Sequence, residues 1–374
     1  MNNSVQLGAY ISEYNVRNRN KSDLPVFSVT NSHGFCQQYF KKVVASQDQS
    51  TYKIVPRNYF AYNPSRINVG SIDWQRNEEQ VIVSPLYVVF KTSEELNNQY
   101  LYYYLKSDVA LTYIRNLGQG SVRDNLKFSE LRKIPLKLYD LDKQERIVKK
   151  LDLISALIEM RKKQLEKFDE LVKSRFIEMF GDLISSPKFP GIEFGTLGEM
   201  ITGGTPSSKK SEYYGGDIPF VSTPSLGKNY ISREDAQNYL TELGVKNSTT
   251  HLIPANSLMI GNRVGVGKSS INTCDMCTNQ DILSFVHINI EKYDLLFLKN
   301  VIDQYLPYYE SVKRGATIKG VPAKVIKSSL VPNVSLNMQK KYTSFVRETD
   351  KSKYRGEESL RFLEICYKKE MNMI

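Results

Sequence analysis

The stretch from Asp142 to Phe180, DKQERIVKKLDLISALIEMRKKQLEKFDELVKSRFIEMF, decides how this chain is organised. Its apolar residues Ile147, Leu151, Ile154, Ile158, Leu165, Phe168, Val172 and Met179 step by three, four or seven, which is the seam of a coiled coil. Arg161 and Arg175 stand at the skipped turns. Gly181-Asp182, followed by Pro187 and Pro190, ends the helix. At about 1.5 Å per residue it is roughly 58 Å long. A stripe of this kind needs a partner, and a second helix is expected from Met338 to about Lys369. There Tyr342, Phe345, Leu360 and Leu363 continue a stripe while Thr349, Ser352 and Gly356 lie between, so its middle packs thinly or brings two backbones close.

Sliding the chain along itself by about 195 residues supports the pairing, because landmarks recur in order. Leu7-Gly8 returns as Leu197-Gly198. Ile54-Val55-Pro56 with Asn58 returns as Leu252-Ile253-Pro254 with Asn256, each leading into a short apolar strand, Tyr59 to Tyr62 and Ser257 to Ile260. A helical stretch rich in Leu and Tyr, Glu94 to Leu117, matches Lys292 to Val312, and Gly120-Ser121 matches Gly315-Ala316. Ile134-Pro135 matches Val331-Pro332, and Gln144 matches Gln339, where a helix begins in each half. The expected fold is mixed α/β: two tandem domains, residues 1–141 and 190–335, each followed by a long helix, 142–182 and 336–374. The two helices pair as an antiparallel coiled coil with approximate two-fold symmetry.

Composition bounds what such a chain does. Its 374 residues are too many for one ordinary core and fit two domains with connectors. No apolar run approaches the roughly 20 residues that cross a bilayer, so no membrane role is expected. The start, MNNSVQLGAY, lacks the features of a secretory signal. Four cysteines (Cys36, Cys274, Cys277 and Cys366) are too few for a disulfide framework, and the expectation is a cytoplasmic protein. Lys and Arg exceed Asp and Glu by 51 to 40, a net charge of +11, the bias of a surface that displaces counterions from phosphates.

Taken together, several stretches resemble the specificity subunits of Type I restriction-modification enzymes, along nearly the whole chain. They are GQGSVRDNLKFSELR from Gly118 to Arg132, IPL from Ile134, KQERIVKKL from Lys143 and FIEMFGD from Phe176. In the second half they are ITGGTPS from Ile201, IPANSLMIGNRVGVGK from Ile253, TNQDI from Thr278 and DKSK from Asp350. The resemblance implies two target recognition domains, each reading one half of a split site on double-stranded DNA. It further implies two modification (methyltransferase) subunits docked on the helices, with restriction (nuclease-translocase) subunits joining them. S-adenosylmethionine, ATP and Mg²⁺ then belong to those partners, and no cofactor to this chain. A helix of roughly 58 Å matches about 17 base pairs, so the helices are expected to act as a ruler. The first domain departs from the pattern, with YISEYNVRN from Tyr10 in place of a GGTPS segment.

The residues expected on DNA are polar and basic side chains in loops. Thr205 and Ser207 belong to a GGTPS turn whose hydroxyls and amides suit phosphates, and Lys209 and Lys210 follow it. Arg263 and Lys268 sit on a glycine-flexed loop after a strand. In each half a loop leaves the helical stretch: Ser121, Arg123 and Asn125 follow Gly120, while Lys313, Arg314, Thr317 and Lys319 flank Gly315. Arg reads guanine and Asn adenine in two-pronged fashion. Arg66 and Arg76 complete the set, Arg76 beside Trp74, the only Trp, which is expected in the core.

No catalytic or metal site is expected. Cys274 and Cys277 have half a zinc spacing without a second pair. Asn63-Pro64-Ser65-Arg66 has one Pro and no fourth-place aromatic, unlike the signature of amino-methyltransferases, and no glycine-rich cofactor loop precedes it. A stand-alone DNA methyltransferase or nuclease, and a coiled-coil assembly protein without DNA specificity, are the rival readings.

Overall fold

The computed structural model describes residues 4–37, 49–118, 125–315 and 319–374. It divides into two units, 1–163 with 356–374, and 164–355. The long helices span Leu141–Phe180 and Leu336–Met373, so each unit holds one globule and a part of both.

The two globules share one sheet topology. In the first unit the strand order is Ile11–Glu13, Val88–Thr92, Phe60–Tyr62, Ile72–Trp74, antiparallel throughout. In the second it is Glu199–Thr202, Ile282–Val286, Leu258–Gly261, Ser269–Asn272, again antiparallel, with Tyr230–Ile231 added in parallel at the edge. Phe60 faces Phe90 across the first sheet and Leu258 faces Phe285 across the second. The asparagines read as equivalent do the same work: Asn58 (φ 69°) and Asn256 (φ 61°) take the left-handed conformation that Asn tolerates before the central strand.

Each expected helical stretch is broken in two. Asn98–Lys106 and Asp108–Gly118 are separated by the extended Ser107, and Leu295–Gln304 and Leu306–Ser311 by Tyr305. Pro307, which lacks an N–H to continue the ladder, accounts for the second break. Both first helices carry an N-cap carboxamide or carboxylate: Asn97 accepts from Gln99 N and Tyr100 N, and Asp294 from Leu296 N and Phe297 N.

Two landmarks shift. Ser4–Gln6 pairs with Pro135–Lys137, and Gly191–Glu193 with Leu330–Pro332. The residue after each first strand, Leu7 or Phe194, donates its N–H to Ile134 O or Ser329 O at 2.9 and 2.8 Å. The structural counterpart of Leu7-Gly8 is therefore Phe194-Gly195, not Leu197-Gly198, and that of Pro135 is Leu330, not Pro332. Gly8 and Gly195 both lie where a side chain would strike a basic residue, Arg132 or Lys327.

The long helices pair antiparallel within each unit. Lys150 meets Glu370 at 2.7 Å and Lys162 meets Glu364 at 3.4 Å in the first, and Lys353 meets Asp169 at 2.6 Å in the second. Ile147, Ile154, Ile158, Leu165, Phe168, Val172 and Met179 are half-buried along the expected seam, as are Arg161 and Arg175, and Leu151 is fully buried. On the partner helix Tyr342 is buried and Phe345, Leu360 and Leu363 half-buried, with buried Thr349 and Gly356 between them. The seam is wider at its ends than the period indicates. Phe176 and Phe180, outside the heptad stripe, are fully buried and meet Phe297 at 6.1 and 5.1 Å and Tyr342 at 5.4 and 5.6 Å between ring centroids. There the helix packs against a globule as well as a helix, and burial spreads to the neighbouring positions. Gly181 (φ 83°) then stops the helix, with Lys188 N donating to Phe180 O.

Phe176→Ala should lower the stability of the second unit by about 3–5 kcal/mol, the cost of an unfilled aromatic site. Phe168→Ala, on the half-buried seam, should cost markedly less, and guanidinium unfolding of the two variants measures the difference.

Candidate nucleic-acid interface

In both globules the hairpin joining the third and fourth strands of the sheet order carries basic residues at its loop. The first loop is Asn63 to Ser71 with Arg66, and the second is Asn262 to Lys268 with Arg263 and Lys268. All three side chains are exposed. Each loop is held by the residue that ends the segment leaving the helical pair: Leu126 N donates to Pro64 O at 3.0 Å, and Val321 N to Asn262 O at 2.7 Å. Asn125 and Lys319, both exposed, are thereby carried beside the hairpin loop of their own domain. Ser121, Arg123 and Thr317 lie outside the described residues.

The second loop is folded rather than freely flexed. Gly265 (φ 62°) and Gly267 (φ 74°) let it arch back, so that Gly267 N bonds Gly261 O at 2.8 Å and Lys268 N bonds Gly265 O at 3.0 Å. Val266 is buried beneath the arch. Arg263 is 3.7 Å from Asp281, and Asn262 N donates to Asp281 O. The pair is loose, with the Arg263 side chain half exposed, and is worth at most about 1 kcal/mol, so the guanidinium is easily released to a phosphate.

The GGTPS turn joins the same place. Gly203 N donates to Ile282 O and Gly204 N to Thr278 O. A Cβ at Gly203 would collide with the carbonyl oxygens of Thr278 and Asn279, and one at Gly204 with Thr249. The glycines serve a close backbone crossing, and the exposed tip beyond it presents Thr205 and Ser207. Thr205 donates to Gln280 Oε1 at 2.5 Å. Gln280 and Asp281 thus link the turn to Arg263, a role that the sequence did not signal, since neither is basic. Lys209 is exposed farther along, and Lys210 donates to Tyr213 OH at 2.8 Å, a bond that raises its pKa. Arg314 exchanges two 2.9 Å backbone bonds with Gly320, which lies against Arg263, and its side chain is exposed. Lys313 is half-buried and paired with Glu310 at 2.5 Å, which makes it a poorer donor to DNA.

Arg76 stands apart from its loop. It follows the far end of the strand Ile72–Trp74, with its guanidinium 3.9 Å above the Trp74 ring and 2.9 Å from Asp73. Asp73 is buried and also accepts from Phe35 N, so Arg76 neutralises a buried carboxylate while 42% of its side chain stays exposed. Trp74 is in the core at 8% exposure. A residue that the sequence reading missed, Arg115, reaches the first loop by donating to Asn68 O at 3.2 Å. Its only sequence signal is a basic side chain in the last turn of a helix.

The remaining motifs are occupied structurally. The Asn63 side chain accepts from Ser65 N at 3.1 Å and Ser65 Oγ at 2.9 Å, a turn-fixing arrangement. Burial pushes the Cys277 thiol up to about 11, and no group of three metal-ligating side chains occurs among the described residues. Among those residues no helix is long and apolar enough to cross a membrane.

A doubled globule, each copy with basic hairpin loops, defines a class, and the family comparison agrees. The profile of the Type I restriction modification DNA specificity domain matches residues 7–168 and again 191–358, and the chain belongs to that family. It is similar to the EcoR124I/EcoR124II specificity subunit of Escherichia coli, 28% identical over 67% of this chain and 63% of that protein. It is also similar to the MjaIX specificity subunit of Methanocaldococcus jannaschii, 26% identical over 41% of this chain and 36% of that one. The chain therefore spans less than two thirds of the length of these curated relatives. Among solved structures, a chain from a study of assembly and conformational transition of the type I R-M system aligns over 99% of this chain and 96% of its own, with a TM-score of 0.67 and 15% identity. The HsdS subunit of Thermoanaerobacter tengcongensis aligns over 99% and 95%, with a TM-score of 0.50 and 14% identity. At these identities the likeness is one of fold.

Replacing Arg263 and Lys268 together by Gln should weaken DNA binding and lower the log–log salt slope by about 1.8, two phosphate contacts at about 0.9 each. Binding isotherms at several salt concentrations measure it, and an unchanged slope would move this loop off the DNA.

Proposed function

We propose that this chain is the DNA-reading subunit of a Type I restriction-modification enzyme, a protein that supplies the address and leaves the chemistry to its partners. The observation that carries the reading is the doubled interface. Two globules of the same topology each set exposed cations and amides on a hairpin loop braced by the segment leaving the helical pair. Lys and Arg there provide affinity through phosphates, and the side chains that differ between the copies provide specificity through base edges. Each domain then reads one half of a bipartite site on double-stranded DNA.

The long helices are the docking ground for two modification subunits, with restriction subunits joining the complete enzyme in the cytoplasm. S-adenosylmethionine, ATP and Mg²⁺ act on those partners. A stand-alone methyltransferase or nuclease fits less well, because Asn63 is committed to a turn and Asp281, the carboxylate beside the second loop, is paired with Arg263. An assembly protein without DNA specificity gives no reason for cations on matched loops of both copies.

Two outcomes test this. The purified chain should turn over no DNA cleavage, ATP hydrolysis or methyl transfer, and activity in a verified single-chain preparation would overturn the reading. Replacing residues 190–335 by the matching domain of a related protein should change one half of the methylated motif and leave the other intact. Methylome sequencing decides this, since changes in both halves would show that the domains are not independent readers.

A further inference from the structure

We infer that Gln144 and Gln339 are positioning residues that pin each globule to the long helix leading out of it, and that this pinning makes the enzyme strict about the spacing between half-sites. The inference rests on the reading of the chain as a split-site reader. Both side chains are fully buried, at 0% exposure, at the start of a long helix.

The two residues make the same bonds. The Oε1 atom accepts from the N–H of the residue capping the first domain helix, Asn97 at 2.8 Å in one copy and Asp294 at 2.9 Å in the other. The Nε2 atom donates to the carbonyl two residues before that cap, Glu95 O at 2.8 Å or Lys292 O at 3.1 Å. It also donates to the carbonyl five residues before itself, Tyr139 O at 2.8 Å or Val334 O at 3.0 Å. One acceptor and both donors of the amide are therefore used. Each glutamine joins three chain segments: the entry to the domain helix, the exit from the last strand, and the long helix.

The chemistry leaves little choice of residue. Asn is one methylene too short to span the three partners, and Glu sets a charge against two carbonyl oxygens. A leucine would strand three buried polar groups. Apolar packing lets a helix slide on a sheet at little cost, whereas three divergent hydrogen bonds from one buried amide tie all three segments, and moving any one of them away leaves a buried polar group unpaired. The bonds recur where side chains around them have diverged: Val148 stands where the second copy has Thr343, and Asp152 where it has Arg347. A duplicated, fully satisfied amide at the root of each helix is suited to holding the domain–helix angle.

The test uses the full chain assembled with its modification partners. Initial methylation rates are measured on duplexes that carry both half-sites with the natural spacer, and with spacers one base pair shorter and longer. For Q144N and for Q339N, the rate on off-by-one spacers relative to the natural one should rise about tenfold, the factor that about 1.4 kcal/mol represents. Base identity in both half-sites should stay the same. A merely structural role would lower the rates on all three spacers in parallel, and that result overturns the inference, as does altered base identity. If the Asn variants do not fold, Q144E and Q339E keep the volume and the accepting oxygen, and the same ratio is read from them. A wild-type complex with no split-site preference would overturn the parent reading and this inference with it, whereas strict variants of a split-site reader overturn the inference alone.

Discussion

The structure depends on one stripe of apolar side chains that a helix of this length cannot hide by itself. From Ile147 to Met179 the stripe is only half-buried even with the C-terminal helix laid against it, which is what a two-helix seam provides. Full burial comes at the two ends. Leu151 enters the core of the first globule together with Met371 and Ile374, and Phe176 and Phe180 enter the core of the second with Tyr342. Each globule is thus completed by the beginning of one long helix and the end of the other. Neither domain is a bead on a string, since part of its core belongs to chain that is remote in sequence.

Much of this was legible in the residues. The heptad spacing located the central helix to within one residue of its start, and the internal repeat announced two copies of one topology. What misled was local. Leu-Gly pairs are short, and Leu197-Gly198 matched Leu7-Gly8 by letter while the strand pairing aligns Phe194-Gly195 instead. Phe176 and Phe180 were invisible to a period that assumes a helix as the only neighbour. The break at Ser107 carries no proline or glycine, and it follows from the extended backbone adopted there.

The residue types of the candidate interface were legible in the sequence, whereas their arrangement was not. Residue type picked out Arg66, Asn125, Arg263 and Lys319, and the fold brings them together in pairs on matched loops. Type alone did not show that Arg76 lies at the other end of its strand, committed to Asp73 and Trp74. Nor did it show that Gln280 and Asp281 connect the GGTPS turn to the arginine loop. Uncharged or acidic residues that organise a basic surface leave no trace in composition, because their role exists only once distant segments meet.

A backbone hydrogen bond joins each hairpin loop to its bracing segment, Leu126 N to Pro64 O in one copy and Val321 N to Asn262 O in the other. Such a joint is indifferent to the side chains it carries. Substitutions at the loop tips can therefore accumulate one at a time without breaking the bond that holds the loop in place.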